Sequence, residues 1–345
     1  MKELTINKSG NSPFKLSQIL IPIAIGMVVV LWLFLVEFDP KTLNSINFTL
    51  TSVAYILLSF LLMLGRDFGM IWRFRLMTDK DLTWKQSFDI HILSEFTSAV
   101  TPSAVGGSGL VFIFMNKEGI SLGRSTTIMF TSLIMDELYF IIICPIIFLM
   151  IQMNELFNAT SVIASTISIV FWTVYSAVFI WTLILYLGLF HRPDLIAKLL
   201  KFVFRLSILR KWHPKITQFA ENIIESSNEI RKKSIGFWMK ITATTILTWS
   251  SRFLVVNALF MAFIPVENHL IIFGRQLLLW MVMLVSPSPG GSGLSEYAFK
   301  EYYNDIILGS GPVLIIIVLW RLISYYLYLF LGVLILPRWL TKKFK

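Results

Sequence analysis

The sequence predicts an all-α polytopic membrane protein, with six full spans and two re-entrant helical hairpins arranged as inverted-topology repeats. Three observations lead to this prediction. Of the 345 residues, 56% are hydrophobic and 14% are charged, whereas soluble proteins carry roughly 25% charged residues. Apolar runs of about 20 residues, the length that crosses a bilayer, recur along the chain. A proline–glycine–serine motif ends each of two shorter apolar runs.

Six apolar stretches are long enough for full spans. They are 18–38, 47–65, 122–150, 160–189, 236–264 and 310–336. The first is too long for the core of a signal peptide and lacks a small-residue cleavage site, so we expect it to be retained as a span. The two shorter stretches, 86–101 and 269–286, are expected to enter the membrane and turn back.

The basic residues predict the orientation of these spans. With the N-terminus in the cytoplasm, 24 of the 30 Lys and Arg residues lie on that side, as the positive-inside rule requires. The count takes Arg66 to Lys85 as a cytoplasmic loop. It predicts a multi-pass protein of the cell membrane with both termini in the cytoplasm. Lys240 is expected to reach the inner interface and Arg275 the outer one.

The chain is expected to consist of two membrane halves around a hydrophilic centre. The expected parts are a first half at 1–189 with a hairpin at 86–115, cytoplasmic amphipathic helices at 190–235, and a second half at 236–345 with a hairpin at 269–303. In the centre, Lys198, Lys201 and Arg205 share one helical face, and a second helix is expected near 215–231. Such helices bind the anionic inner leaflet; ordinary basic loop content is the alternative.

A glycine-rich motif occurs twice. Thr101 to Leu110 read TPSAVGGSGL, and Ser286 to Leu294 read SPSPGGSGL. Three predicted spans separate the copies, and this odd number places them at opposite faces of the membrane. Inverted repeats of this kind are typical of transporters with a substrate site near the midplane.

The residue types of the motif fit a binding site at broken helices. The candidate binding residues are Pro102, Gly106, Gly107 and Gly109 in the first copy and Pro287, Gly290, Gly291 and Gly293 in the second. Proline ends the incoming helix, and glycine allows positive φ and close backbone approach. The amides that open the next helix attract anions such as phosphate. A packing turn is the alternative.

Seven ionisable residues fall inside apolar stretches. They are Glu95, Asp136, Glu137, Arg252, Arg275, Glu296 and Arg321. A charge at the bilayer centre costs about 2.5–3.5 kcal/mol on insertion scales, so such residues are expected to be paired and functional. His91 and Glu95, four residues apart, are either a proton relay or a satisfied pair. Asp136 is given no role.

Two arginines and two glutamates form the predicted centre of the site. Glu137 and Arg321 each lie 28 residues after the last glycine of their motif, so their helices are expected to meet near a pseudo-twofold axis. Arg252 and Arg321 are expected to bind a phosphate, because guanidinium groups bind it bidentately. Glu137 and Glu296 would hold or gate the arginines. Structural salt bridges without a ligand are the alternative.

Several function classes are disfavoured by what the sequence lacks. It has no complete phosphate-binding P-loop motif, no zinc-protease motif and no nucleophile-elbow motif. One cysteine and four scattered histidines give no metal-ligand spacing. We therefore expect no catalytic residue, metal or cofactor. The net charge of +10 is expected to face anionic lipid and not nucleic acid.

The segment from Pro287 to Glu296, with its weaker copy at 101–110, resembles the flippase-like family. This family is also called the lysylphosphatidylglycerol synthase transmembrane region, and it includes the flippase half of the multiple peptide resistance factor. The resemblance implies two inverted halves with re-entrant helices. In the bifunctional members this region moves aminoacylated phosphatidylglycerol between leaflets and can form dimers, whereas the substrate of this chain is left open. The family motif falls on Pro287, Gly290, Gly291, Gly293 and Glu296.

Two departures from the family pattern limit what is carried over. Phe112 stands in the first copy where Glu296 stands in the second, so the halves differ chemically. Only Pro337 to Lys345 follow the last predicted span, so we do not expect the soluble synthase domain of the bifunctional members.

The expected function is translocation of a phosphate-containing amphiphile between leaflets without ATP hydrolysis. One alternative is a membrane enzyme that uses Glu137 or Glu296 as a base. The other is a non-catalytic subunit acting with a separate lipid-modifying synthase. Expected partners are lipids with phosphate headgroups; a homodimer and a separate synthase are left open.

Overall fold

A computed structural model describes residues 49–101, 109–158, 163–195, 198, 213–288, 290–307 and 310–343. These residues form helices and turns, and no strand occurs among them. Five helical segments are long and apolar enough to span a membrane: Leu50–Met77, Leu122–Met150, Ala164–His191, Ile235–Phe263 and Pro312–Thr341. The predicted span 18–38 lies outside the described residues. The all-α polytopic class is therefore confirmed, while the number of six spans stays a prediction.

The first half contains two long helices separated by two short ones, followed by a third long helix. They are α1 (Leu50–Met77), α2 (Trp84–Val100), α3 (Val111–Lys117), α4 (Leu122–Met150), the short α5 (Met153–Leu156) and α6 (Ala164–Tyr186), which ends in a π-helical turn at Leu187–His191.

The second half repeats the order long, short, short, long after one intervening helix. Its elements are α7 (His213–Arg231), α8 (Ile235–Phe263), α9 (His269–Met283), α10 (Leu294–Tyr302), α11 (Ser310–Arg321) and α12 (Leu327–Lys343). A π-helical turn, Leu322–Tyr326, joins α11 and α12 into one long segment. In element order, α8, α9 and α10 correspond to α1, α2 and α3, and the joined segment of α11 and α12 corresponds to α4.

The first helices of the two halves, α1 and α8, form the most extensive helix pair and run antiparallel. Gly65 faces Ser251, and a Cβ added at Gly69 would lie 2.5 Å from Thr248 Oγ1. Residue numbers therefore rise along α1 as they fall along α8. Small residues at such a crossing let two backbones approach closely.

The predicted end of the second span, residue 65, is wrong. Helix α1 continues to Met77, and Arg66 and Arg73 are only 3% and 0% exposed. They are therefore not loop residues, because each is buried against carboxylates of neighbouring helices. The helix ends at the turn that carries Asp79 and Lys80, both with positive φ.

The helix expected near 215–231 is present as α7. Its apolar residues Ile223 and Ile230 are buried, and a Cβ added at Gly123 of α4 would overlap Asn222 of α7. The apolar face of α7 thus packs on protein, and it is not free to enter a bilayer surface. The other predicted amphipathic helix, with Lys201 and Arg205, lies largely outside the described residues.

Candidate functional site

The second glycine motif forms a turn between α9 and α10. Gly290, Gly291 and Gly293 have φ values of +56°, +70° and +85°, a region that side-chain-bearing residues rarely adopt. At Gly290 an added Cβ would also overlap the ring of Tyr325. Glycine is therefore required here for both backbone conformation and close packing.

Glu296 stabilises the start of α10. Its Oε2 accepts hydrogen bonds from the backbone N–H of Gly293 at 2.8 Å and from Ser295 Oγ at 2.9 Å. A carboxylate three residues into a helix satisfies an otherwise unpaired amide there and opposes the positive end of the helix dipole. The side chain is fully buried. Glu296 therefore fixes the conformation of the turn.

Arg321, the last residue of α11, lies against the same turn. Its Nε is 2.7 Å from Glu296 Oε1, and its Nη1 and Nη2 lie 3.4 and 3.3 Å from the carbonyl oxygen of Gly290. The guanidinium carbon is 4.1 Å from the ring centre of Tyr325. The Nε–H is not directed at Oε1, so charge attraction holds this pair. Arg321 and Glu296 are the two predicted site residues that the structure brings together.

Tyr325 connects this turn to the first half of the chain. Ser292 Oγ donates to the Tyr325 hydroxyl at 3.2 Å, and that hydroxyl donates to the carbonyl oxygen of Ala99 at 3.2 Å. Ala99 lies near the end of α2, just before the first glycine motif. Of that motif, Gly109 precedes α3, whereas Pro102, Gly106 and Gly107 lie outside the described residues.

A second group of buried polar side chains lies between α1, α2 and α12. Arg66 pairs with both Asp67, at 2.9 Å, and Glu95. His91 Nε2 is 2.9 Å from Asp67 Oδ1, and the Tyr328 hydroxyl is 2.8 and 2.7 Å from the two Asp67 oxygens. We call Arg66, Asp67, His91, Glu95 and Tyr328 the charge cluster. The sequence indicated only His91 and Glu95, as a relay or as a pair with each other. The structure instead joins His91 to Asp67 and Glu95 to Arg66, a residue that was expected in a loop.

Arg252 of α8 is placed among aromatic rings. Its guanidinium carbon lies 4.1 Å from the ring centre of Trp280 and 5.9 Å from that of Trp249. Within the described residues its guanidinium forms no ion pair with a carboxylate.

Glu137 is placed away from both predicted arginines. Thr182 of α6 donates to Glu137 Oε2 at 2.8 Å, so the carboxyl group lies between α4 and α6. Within the described part of the chain, no ion pair joins Glu137 to Arg252 or Arg321. Any role of Glu137 in binding stays a prediction.

Asp136, given no role from the sequence, forms a buried bidentate ion pair. Its Oδ1 and Oδ2 lie 2.5 and 2.9 Å from Arg73 Nη1 and Nη2. Trp249 Nε1 donates to the same Oδ1 at 2.7 Å, and Arg73 Nη1 donates to Thr245 at 3.0 Å. One carboxylate thereby joins α1, α4 and α8.

The expectation that Arg275 reaches the outer interface is wrong. Its side chain is 1% exposed, and its Nη1 and Nη2 lie 2.6 and 2.7 Å from the Asp305 oxygens. It also donates to the carbonyl oxygens of Glu155 and Tyr302. All five N–H groups of the guanidinium have acceptors inside the protein. The side chain therefore does not have to reach water to satisfy its hydrogen bonds.

The apolar spans and buried ion pairs define a polytopic α-helical membrane protein. A family model described as "Lysylphosphatidylglycerol synthase TM region" matches residues 19–332. The chain therefore belongs to this membrane protein family, which is associated with lipid handling. A protein of Archaeoglobus fulgidus described as "UPF0104 membrane protein" is 23% identical over 291 residues, covering 81% of this chain and 85% of that one.

Proposed function

We propose that this protein is a lipid translocase that moves a phosphate-containing amphiphile between the leaflets of the cell membrane. The observation that carries the proposal is the buried Arg321–Glu296 pair at the Gly290–Gly293 turn. Charged groups inside a membrane segment are costly and are typically placed on substrate pathways. A guanidinium at an amide-rich turn has the chemistry that recognises phosphate.

The architecture supports two inverted repeats with re-entrant hairpins. Helices α2 and α9 have 17 and 15 residues, fewer than the about 20 that a span needs. The antiparallel pairing of α1 with α8 is the relation expected when equivalent helices of two halves have opposite orientation. The basic-residue bias still favours cytoplasmic termini after Arg66 and Arg73 are removed from the loop count.

Translocation would proceed by exchange of partners at Arg321. A headgroup phosphate competes with Glu296 for the guanidinium, because both are anions and a phosphate can accept two parallel N–H groups of an arginine. Glu296, when released, keeps its bonds to the Gly293 amide and Ser295, so the turn keeps its shape. The lipid tails stay in the bilayer, and the headgroup passes the turn.

The test is leaflet exchange in liposomes that contain purified protein and a fluorescent phospholipid, read by quenching of the outer-leaflet dye. Losing one charge-assisted hydrogen bond costs about 1.5–3 kcal/mol, which corresponds to roughly a tenfold to hundredfold slower exchange. We expect this loss for Arg321→Gln. Arg338→Gln, an exposed arginine of α12, is the matched control and should exchange lipid at the wild-type rate.

Two outcomes would replace the proposal. A mass change in the lipid after incubation with pure protein would identify a membrane enzyme. Co-purification of a lipid synthase, with no exchange by the isolated chain, would identify a non-catalytic subunit. Equal exchange by wild type and Arg321→Gln would exclude the partner-exchange mechanism at Arg321.

A further inference from the structure

We infer that Glu137 is a proton-binding site: a neutral carboxylic acid that fastens α4 to α6 beside a proline break in α4. Loss of the proton loosens this contact between the two helices. The inference is carried by the hydrogen bonds and ion pairs of α4 and α6, and it does not depend on the proposed function.

Glu137 differs from the other carboxylates of the membrane spans. The five described spans contain three carboxylates, Asp67, Asp136 and Glu137. Asp67 contacts Arg66, and Asp136 contacts Arg73. Among the described residues, Glu137 contacts no cation, and its hydrogen-bond partner is the Thr182 hydroxyl at 2.8 Å. An ionised carboxylate without a counter-charge in an apolar medium is so unfavourable that such a group takes up a proton instead.

The surroundings of the Thr182 hydroxyl agree with a neutral acid. A hydroxyl has one hydrogen, yet two oxygens lie within reach, Glu137 Oε2 at 2.8 Å and the Val178 carbonyl oxygen at 2.7 Å. Thr173 of the same helix donates to the carbonyl oxygen of Ile169, four residues earlier. If Thr182 donates to Val178 in the same way, the hydrogen between Thr182 and Glu137 has to come from the carboxyl group. One bound proton thus completes both hydrogen bonds.

A second side chain of α6 contacts α4 at a proline break. Pro145 lies inside α4 and has no N–H, so the carbonyl oxygen of Ile141, four residues earlier, lacks its helical donor. The Tyr175 hydroxyl donates to this oxygen at 3.1 Å. Inside a bilayer a freed carbonyl group needs a partner from the protein, because water is absent there. Helix α6 supplies that partner.

These two contacts lie close together on one seam between antiparallel helices. Glu137 precedes Ile141 by one turn of α4, and Thr182 follows Tyr175 by two turns of α6. Both contacts hold the part of α4 that precedes Pro145, the point at which a helix bends most easily. Only the Thr182–Glu137 contact changes with a proton. The proton therefore sets how firmly this part of α4 is held against α6.

Few charged groups lie near Glu137. Asp136 precedes it in α4 and is paired with Arg73 of α1, and α6 has no charged residue between Ala164 and Tyr186. Helix α7 contacts α4 at Gly123, which is about 20 Å along the helix from Glu137.

Helices α3, α8 and α9 also pack on α4. No contact joins Glu137 to any of their ionisable side chains, which are Lys117, Lys240, Arg252, His269 and Arg275.

The first experiment is chemical labelling of wild-type protein in liposomes with dicyclohexylcarbodiimide, a lipid-soluble reagent. A protonated carboxylic acid adds its O–H across one C=N bond of the reagent, and transfer of the acyl group to nitrogen leaves a stable N-acylurea. Peptide mass spectrometry should find the label on Glu137, in an amount that falls as the pH is raised. Asp136 is the internal control, because its arginine keeps it ionised, and it should carry no label. Equal labelling of Asp136 and Glu137, or labelling that is the same at every pH, would overturn the inference.

The second experiment observes the proton without a reagent. The infrared spectrum of wild-type protein at neutral pH should contain the carbonyl stretch of a protonated carboxyl group, and this band should shift in heavy water. Glu137→Gln should remove the band, whereas Glu267→Gln, at an exposed glutamate, should retain it. A wild-type spectrum without the band would show that Glu137 is ionised and would overturn the inference.

The third experiment follows stability with pH. The folded protein binds a proton that the unfolded chain releases to water, so the stability that Glu137 contributes is present at low pH and is lost as the pH rises. Glu137→Gln keeps a neutral side chain that can donate to Thr182. Between neutral and alkaline pH, the midpoint temperature of unfolding should fall by several degrees more in wild type than in Glu137→Gln. An equal fall in both proteins would contradict a proton on Glu137.

The role of Tyr175 is tested by a double-mutant cycle with Pro145. Tyr175→Phe should lower the midpoint temperature, because the Ile141 carbonyl oxygen loses its donor. In Pro145→Ala, residue 145 has an N–H again and can bond to Ile141, so the added Tyr175→Phe should have a much smaller effect. Equal effects in the two backgrounds would show that Tyr175 does not replace the missing helical donor. These measurements need no transport assay, so a failure here leaves the proposed translocase untouched.

Discussion

The Tyr325 hydroxyl donates a hydrogen bond to the carbonyl oxygen of Ala99 at 3.2 Å. The same hydroxyl accepts from Ser292 in the second glycine motif. One side chain therefore joins the Gly290–Gly293 turn to the end of α2, where the first motif begins. Movement of the Gly290–Gly293 turn relative to the end of α2 has to stretch or break this bridge.

Replacing Tyr325 by Phe should destabilise the protein and loosen the contact between the Gly290–Gly293 turn and the end of α2. The change removes two buried hydrogen bonds, worth about 1 kcal/mol each, and leaves the Ala99 carbonyl oxygen without this donor. Equilibrium unfolding in mixed micelles measures the loss. The neighbouring Tyr326 is the matched control, since its buried hydroxyl has no hydrogen-bond partner within the described residues. Tyr326→Phe should leave stability unchanged or raise it.

The Arg73–Asp136 pair should be strongly sensitive to removal of one partner. Asp136→Asn leaves a buried guanidinium without its counter-charge, and such losses cost about 3–5 kcal/mol. Arg73→Met combined with Asp136→Leu should recover much of that loss, because no unpaired charge remains. The free energy of unfolding is measured for wild type, for Asp136→Asn and for the double variant. A double variant no better than Asp136→Asn would contradict this explanation.

An exposed ion pair provides the comparison for Asp136. Lys198 and Asp194 lie 3.7 Å apart with exposed side chains, and such pairs contribute about 0–1 kcal/mol. Asp194→Asn should therefore change the unfolding free energy little under the same conditions. An equal loss for Asp194→Asn and Asp136→Asn would show that the assay does not report burial.

Hydropathy predicted the spans well and the end of α1 poorly, for a physical reason. The mean hydropathy of a run of residues is high for a helix that faces lipid. Helices α4 and α8 are of this kind, and their bounds match the predicted ones within two residues. Arg66 and Arg73 lower the window average, although their charges are neutralised by Glu95 and by Asp136, which is 63 residues away. The signal for the true end was the polar run from Thr78 to Asp81, which lies at the turn.

The candidate site was predictable where a local motif marked it. The glycines and Glu296 are close in sequence, and the repeat drew attention to Arg321. The surroundings of Arg252 and Glu137 depend on which helices meet, and this is set by packing of α8 with α9 and of α4 with α6. No spacing rule in one sequence gives those neighbours. The charge cluster was hidden because its first member was assigned to a loop.

Gly332→Ala should destabilise the contact between α12 and α2. A Cβ at this position would overlap the side chain of Phe96, and overpacking of a filled core costs about 1–3 kcal/mol. At Gly236, near the start of α8, the nearest atom to an added Cβ is Ser234 Oγ at 3.9 Å. Gly236→Ala should thus stabilise the helix by about 0.5–1 kcal/mol. In thermal unfolding in detergent, the midpoint temperature should be highest for Gly236→Ala, intermediate for wild type and lowest for Gly332→Ala.

Arg321 and Glu296 should show strong energetic coupling in a double-mutant cycle. Residues in direct contact couple by about 0.5–3 kcal/mol, and this pair is fully buried. Arg321→Gln leaves the Glu296 carboxylate with the Gly293 amide and Ser295, whereas Glu296→Gln leaves the guanidinium on the Gly290 carbonyl oxygen. The double variant should be more stable than additivity of the single changes predicts. Strict additivity would show that the two side chains do not interact.

The π-helical turn Leu322–Tyr326 has an evolutionary consequence. A π-turn accommodates one residue more than an α-helical turn, and here it lies between Arg321 at the glycine turn and Tyr328 on Asp67. A relative with an uninterrupted α-helix would be one residue shorter in this stretch. Its helix would be rotated by about 100° beyond that point, so it could retain the arginine contact or the tyrosine contact, but not both. Divergence of substrate within this lineage should therefore be accompanied by single-residue insertions or deletions at this turn.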